Sequence, residues 1–335
     1  MVSAGLVILV AAIALGLLAG LAGAGIVLAR ARRVDLPDER RLHTAPTPRG
    51  GGVGIPLASL LALPLVWDAP ERRTVLLVLG WALANAVMGF VDDHHPLRSR
   101  VKFALQAAAA IAVVSLGLRL DVLEVPPLPA LPLGVVAYPF SVLWLIWMAN
   151  VFNFMDGMDA LASVSGVIFF AALGALGSPA LAALAASTGG GLVGFLRYNR
   201  PPARIFMGDS GALHTGALLG GLVIALAPRV PFAASALILG PFLWDATYTI
   251  VRRFLRGDPM LPHRTHLFQR LALAGWSHGR VRALYFGLAL VAAAGGLALP
   301  RLGSVGQGAV LGVAALLGIA LVGLTLRAEA RAAPR

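Results

Sequence analysis

Apolar residues in this chain fall into near-continuous blocks of about 17 to 25 positions, separated by short polar stretches, and a helix of that length crosses a bilayer. Eleven blocks are legible, near 2–29, 52–67, 74–91, 102–118, 134–152, 160–177, 179–196, 211–228, 232–251, 282–300 and 304–326. They predict an all-α, polytopic integral membrane bundle of about eleven transmembrane helices, forming one domain over 1–335. The first block has too long an apolar core, and no basic flank before it, to be a cleaved signal, so it reads as a retained helix. Glycines four apart (Gly16 with Gly20, Gly190 with Gly194, Gly216 with Gly220) predict close helix–helix contacts. No repeat of 20 to 50 residues and no inverted pair of blocks is evident, which argues against a transporter.

Composition sharpens this picture. A chain 59% hydrophobic and 13% charged is not a soluble fold, and the absence of cysteine excludes disulfides and thiolate metal sites. The formal charge of +12 invites a nucleic-acid partner until its placement is read. With the N-terminus outside, the cytoplasmic segments and tail carry 22 of the 27 basic residues, the exceptions being Arg72, Arg73, Arg119, Arg229 and Arg301. The charge therefore encodes topology, with a cytoplasmic C-terminus, and attraction to anionic lipid rather than to nucleic acid.

The polar residues that need explaining gather in the cytoplasmic loops. Where the third block ends stands Gly89-Phe90-Val91-Asp92-Asp93-His94-His95-Pro96-Leu97, followed by Lys102 and Gln106. Adjacent carboxylates at a membrane edge are costly unless a cation compensates them, and helical neighbours point about 100° apart, so Asp92 and Asp93 should do different work. The plain alternative is a solvated helix end. Lys102 is the only lysine among 27 basic residues, which hints that a compact ammonium is needed, on a phosphate for example.

A second constellation, Asn150-Val151-Phe152-Asn153-Phe154-Met155-Asp156-Gly157-Met158-Asp159, fills the one inside loop with no basic residue. Its spacing of three allows Asn153, Asp156 and Asp159 to share a helical face, although Asp-Gly alone also marks a turn. The third runs from Arg197 through Asn199 to Phe206-Met207-Gly208-Asp209-Ser210-Gly211. There, glycines would let backbone N–H groups approach an anion while Asp209 offers a hard oxygen to Mg²⁺; a helix cap is the bland account.

In the longest inside loop, His263-Arg264-Thr265-His266 suits a diphosphate or sugar better than zinc, because no third ligand follows. Leu267, Phe268, Leu271 and Trp276 beside it suggest an amphipathic segment on the membrane surface. Between the first two blocks, Asp35 through Arg41, His43 and Arg49 to Gly50-Gly51-Gly52 is either a flexible entry or a phosphate contact.

Taken in order, these motifs resemble the polyprenyl-phosphate N-acetylhexosamine-1-phosphate transferases, the group that includes the phospho-MurNAc-pentapeptide transferases. The resemblance covers about 35–270; the last two helices, 282–326, carry no motif. It implies a Mg²⁺-dependent enzyme, with Mn²⁺ as an alternative ion, in the bacterial inner membrane with its site facing the cytoplasm. The enzyme would move N-acetylhexosamine 1-phosphate from a UDP-sugar to undecaprenyl phosphate, release UMP and start a lipid-linked surface glycan. A homodimer is part of the same expectation.

By motif, Asp209 and Asn153 would hold the metal. Asp92 would be the base that deprotonates the lipid phosphate, with Asp93 supporting it, and Lys102 would be a further catalytic residue lining the same cleft. Asn150, Asn153, Asp156, Asp159, Asn199, His263, Arg264, His266, Arg41 and Arg49 would bind substrates. Three departures stand out: Ala160 where a glycine often follows the last aspartate, Ala212 where serine is frequent, and His263-Arg264-Thr265-His266 in place of a triple-histidine run. The last points to the O-antigen and surface-polysaccharide branch. The rivals are a MurNAc-pentapeptide donor and, in another class, an ion or lipid transporter.

Overall fold

A computed structural model describes residues 4–30, 34–35, 46–258 and 263–332. Thirteen α-helices occur in the described residues: α1 (Ala4–Ala29), α2 (Gly54–Leu60), α3 (Arg72–His94), α4 (Ser99–Ser115), α5 (Ala137–Met155), α6 (Leu161–Leu176), α7 (Pro179–Asn199), α8 (Gly208–Leu226), α9 (Phe232–Ile238), α10 (Gly240–Leu255), α11 (Leu267–Leu273), α12 (His278–Ala298) and α13 (Ser304–Ala332). Two short antiparallel pairs, Val34–Asp35 with Thr47–Pro48 and Val122–Leu123 with Leu131–Pro132, are the strands among these residues.

All eleven apolar blocks are helical, but they do not all qualify as spans. By length and hydropathy seven helices among the described residues can cross a membrane. An eighth span arises if α9 and α10, bent by 83°, count as one. The break falls at Leu239, just before Gly240-Pro241, where proline lacks the N–H that would continue the helix. The blocks near 52–67, 102–118 and 160–177 form shorter helices; the first is split into α2 and a 3₁₀ turn containing Pro64.

α8 is the centre of the bundle, with nearly every residue buried, and α3 and α5 lie along it. The predicted glycine contacts are present. A Cβ on Gly16 or Gly20 would lie 1.9 or 2.0 Å from backbone oxygens of α7, and one on Gly216 would lie 2.5 Å from Met148 O on α5. Small residues let the backbones meet, and in lipid such packing is what joins helices. α13, by contrast, exposes most of its surface.

Two boundaries differ from the sequence reading and matter for the site. α8 begins at Gly208, so Asp209 and Ser210 lie in its first turn. α5 ends at Met155, Asp156 is its C-cap and Asp159 lies beyond, so Asn153, Asp156 and Asp159 do not share a helical face. Leu267, Phe268 and Leu271 also depart from expectation: they are fully buried against protein as α11, not spread on a membrane surface. A hydrogen-bonded cap on the first turn of that helix, described below, draws it inward.

Candidate active site

The C-terminal ends of α3 and α5 and the N-terminal ends of α4 and α8 meet at one end of the bundle, and Asp92, Lys102, Asn153 and Asp209 stand at that junction. Gly89 allows the approach: a Cβ there would lie 2.4 Å from the carbonyl of Asp209. A bulkier residue would push α3 off the first turn of α8.

The two adjacent aspartates divide their work. Asp93 accepts from the Asp209 and Ser210 N–H groups, each at 3.0 Å, and so caps α8 from another helix. Those N–H groups belong to a first turn that has no partner within its own helix, and a carboxylate there also meets the positive end of the helix dipole. Asp92 turns the other way. It accepts from Leu97 N at 2.7 Å, which folds the α3–α4 loop back, and from Lys102 Nζ at 2.9 Å. The Asp92 and Asp209 carboxyls are close enough to influence one another.

Asp209 collects the remaining partners. Its Oδ1 accepts from Asn153 Nδ2 at 3.2 Å and from the Arg49 guanidinium, and its Oδ2 lies 3.6 Å from Lys102 Nζ. Arg49 also reaches Asp93 with Nε at 3.1 Å. Burial alone would lower the pKa of its guanidinium; Asp209 and Asp93 outweigh that and hold it charged. Arg49 is delivered by the glycine run after it: Gly51 N and Gly52 N donate to Phe206 O and Met207 O at 2.9 Å, pinning this segment to the residues before α8. Arg41 and His43, from the same expected constellation, lie outside the described residues.

Asp156 faces this cluster from the loop after α5. Burial, together with Asp209, Asp93 and Asp159 nearby, pushes its carboxyl well above the usual range, with Arg49 opposing. Four acids (Asp92, Asp93, Asp156, Asp209) thus share two cations, Arg49 and Lys102. Fully ionised, the group would carry a net charge of −2, which a proton on Asp156 or an added cation relieves.

Other expected residues hold the walls. Asp159 accepts from Ala203 N at 3.0 Å. Asn199 is buried with its amide engaged by protein: it accepts from Ala160 N and Ser163 Oγ and donates to Ile205 O. It ties the loop before α8 to the start of α6. Ala160 there has a φ of 62°, a left-handed conformation that suits glycine better than alanine.

The histidine segment packs against the last turn of α5, with the His266 and Phe154 ring centroids 5.7 Å apart. Asp245 of α10 organises it, accepting from His266 Nδ1 at 3.1 Å, from Leu267 N and Phe268 N at 2.9 and 3.1 Å, and from Tyr285 Oη. This is the cap that buries α11. His263 Nδ1 accepts from Thr265 N at 3.3 Å, which leaves the proton on Nε2. Burial, with His266 and Arg253 nearby, lowers the His263 pKa to about 4, so the ring is neutral near pH 7. Arg264 is half-buried and pairs with no acid among the described residues.

Sequence reasoning passed over Asn85, which is buried on α3 and bonded to Gln106, and the Arg270–Glu329 pair that ties α13 to α11 through two bonds of 2.6 Å. Asn85 carried a signal, an amide within an apolar block. Glu329 carried none.

The glycosyl transferase family 4 profile matches residues 75–227, the stretch that holds Asp92, Asp93, Lys102, Asn153 and Asp209. A probable undecaprenyl-phosphate N-acetylglucosaminyl 1-phosphate transferase of Bacillus subtilis is 33% identical over 255 residues, covering 73% of this chain and 71% of its own. A decaprenyl-phosphate N-acetylglucosaminephosphotransferase of Mycolicibacterium smegmatis is 32% identical over 77% of this chain and 73% of its own. A phospho-N-acetylmuramoyl-pentapeptide-transferase of Pelotomaculum thermopropionicum reaches 36%, but over only 32% of this chain and 33% of its own. On the length and identity of these matches, the chain belongs to the glycosyl transferase family 4 of polyprenyl-phosphate sugar-phosphate transferases.

Proposed function

We propose that this protein transfers N-acetylhexosamine 1-phosphate from a UDP-sugar to undecaprenyl phosphate at the cytoplasmic leaflet of the bacterial inner membrane, starting a lipid-linked surface glycan. The observation that carries this reading is the convergence of Asp92, Asp209, Asn153, Lys102 and Arg49 at one end of α3, α4, α5 and α8. The basic loops on that same side support its cytoplasmic placement. N-acetylglucosamine is the first sugar to test, because relatives that match most of the chain carry it in their names.

The bonds that change are few. An oxygen of the lipid phosphate attacks the donor's β-phosphorus, the bond from the β-phosphorus to the bridging oxygen breaks, and UMP leaves with that oxygen still on its α-phosphorus. Asp92 takes any proton left on the lipid phosphate, which is largely ionised near pH 7. Lys102 and Arg49 swing from the acids to the phosphate oxygens, and Asp93 keeps the first turn of α8 in place beneath Asp209. His263 and His266, neutral His263 among them, donate to or accept from the donor's polar groups rather than pairing with its charge. Phosphoryl transfer asks mainly for such positioning and neutralisation.

Magnesium suits the residues present. Among the described residues no three acids or histidines converge on one metal point, but Mg²⁺ is commonly held by one or two carboxylates with phosphate oxygens and water. Asp209 would be its main ligand, with Asn153 beside it, and the excess negative charge of the acid group fits a divalent ion. Bound there, it would neutralise the diphosphate.

The MurNAc-pentapeptide alternative is the weaker one, since such relatives match a third of the chain and the histidine segment lacks a triple run. The test is UMP release by purified protein given undecaprenyl phosphate, Mg²⁺ and a panel of UDP-sugars. Release with one UDP-N-acetylhexosamine supports the reading, and no UMP from any donor overturns it.

A further inference from the structure

Three side-chain amides lie directly beneath the acid cluster without touching it. Asn85 on α3 and Gln106 on α4 are buried, and Asn150 on α5 is partly so. They form a one-way chain across three helices. Asn150 Nδ2 donates to Gln106 Oε1 at 2.9 Å, Gln106 Nε2 donates to Asn85 Oδ1 at 3.0 Å, and Asn85 Nδ2 donates to Trp81 O at 3.0 Å. Asn150 Nδ2 also reaches Ile146 O at 2.7 Å. Turning any one amide around would set nitrogen against nitrogen or oxygen against oxygen, so the polarity is self-consistent.

Cohesion alone is a poor account of this ladder. Interhelical hydrogen bonds inside membranes contribute little net stability on average, and apolar residues would fill the same layer without polar groups to satisfy. Register is what the rungs have in common. Gln106 follows Lys102 by one helical turn, Asn150 precedes Asn153 by one, and Asn85 precedes Gly89 by one and Asp92 by two. Gly89 is the point at which α3 meets the Asp209 backbone. Each rung therefore stands under a residue of the cluster, and the three bonds fix the distances among the helices that carry them.

We propose that the Asn85–Gln106–Asn150 ladder is a positioning device for the transfer, holding Asp92, Lys102 and Asn153 at their working separation, with Asn150 serving the ladder rather than the substrate. This rests on the reading of Asp92 and Lys102 given above. All three are positioning residues, since none touches the reacting groups.

The test replaces every rung at once. Asn85→Leu/Gln106→Leu/Asn150→Leu leaves no unmatched amide, and swapping both partners of a buried bond for apolar groups of like size is close to neutral for stability. The expected result is an unfolding midpoint within a few degrees of wild type, an unchanged KM for the UDP-sugar, and a kcat lower by roughly 10- to 100-fold, the scale of an ångström of misplacement. A kcat within about twofold of wild type in a folded triple variant overturns the proposal.

Should the triple variant not fold, Gln106→Asn, whose amide is too short to bridge, is measured with and without Lys102→Met. A cost that vanishes once Lys102 is gone supports positioning, and an equal cost in both backgrounds overturns it. Asp92→Asn is assayed alongside. Full turnover in Asp92→Asn defeats the reading of Asp92, whereas full turnover in the ladder variant beside an inactive Asp92→Asn defeats the ladder alone.

Discussion

Two carboxylates in this bundle, Asp209 and Asp245, are both buried, yet their surroundings differ in kind. Asp245 is wholly buried and accepts from the backbone N–H groups of Leu267 and Phe268, from His266, from Thr249 and from Tyr285. Those donors are fixed by the fold. Asp209 is met instead by the tips of two long side chains, Arg49 and Lys102, each about a third exposed at 36% and 30%. A carboxylate held by backbone has no capacity left for a ligand, whereas one held by flexible cations can exchange them for a metal ion or release them to a phosphate. The contrast separates an acid committed to the fold from one whose partners can exchange, as the proposed role of Asp209 requires, and nothing in the residue type distinguishes them.

The largest effect that probes this contrast lies at Asp245. Asp245→Ala leaves the cap of α11, His266 and Tyr285 without their acceptor, and the expected cost is roughly 3–5 kcal/mol in all, at about 1–3 kcal/mol for each buried donor left unpaired. Chemical or thermal unfolding in detergent measures it. Wild-type stability in this variant would break the comparison, because Asp245 would then not be the fixed centre described.

The next effect is a pH dependence at Asp156. A carboxyl raised by burial among acids contributes stability below its unfolded value near 4 and loses it as pH rises through the folded value. Asp156→Asn should therefore match wild type in acid and exceed it at neutral and higher pH in the absence of divalent ions. Added Mg²⁺ should narrow that gap. Unfolding midpoints measured across pH, with and without Mg²⁺, check both statements; a gap independent of pH would show that Asp156 does not share the cluster's charge.

The smallest effect concerns the wall. Ala160 holds a φ of 62°, where a Cβ is disfavoured by roughly 1 kcal/mol, and Ala160→Gly should gain up to about that much with turnover unchanged. A loss of stability on this substitution would contradict the backbone conformation assigned to the start of α6.

Much of this architecture was legible from apolar block length: every block is helical, although two are broken and seven or eight spans among the described residues stand against about eleven expected. The membership of the acid cluster was also legible, because Asp92, Lys102, Asn153 and Asp209 stand in recognisable runs. Individual tasks were less so. Asp93 caps a helix 116 positions away, and no local pattern reports which distant carboxylate satisfies a first turn. Leu267, Phe268 and Leu271 form an apolar stripe that fits a membrane surface and a protein interior equally well; Asp245 decides between them. The spacing of Asn153, Asp156 and Asp159 matched a helix that in fact stops at Met155. Periodicity gives a helix its face, but its end depends on what receives its last carbonyls.

The most direct test of the account is UMP release by Asp209→Asn over a Mg²⁺ titration, beside wild type and in detergent conditions where both are folded. The account predicts a loss of roughly 1,000-fold or more at ordinary Mg²⁺, the scale of removing a principal electrostatic group from a transfer site, with the unfolding midpoint little changed. Near-normal turnover at ordinary Mg²⁺ would contradict it.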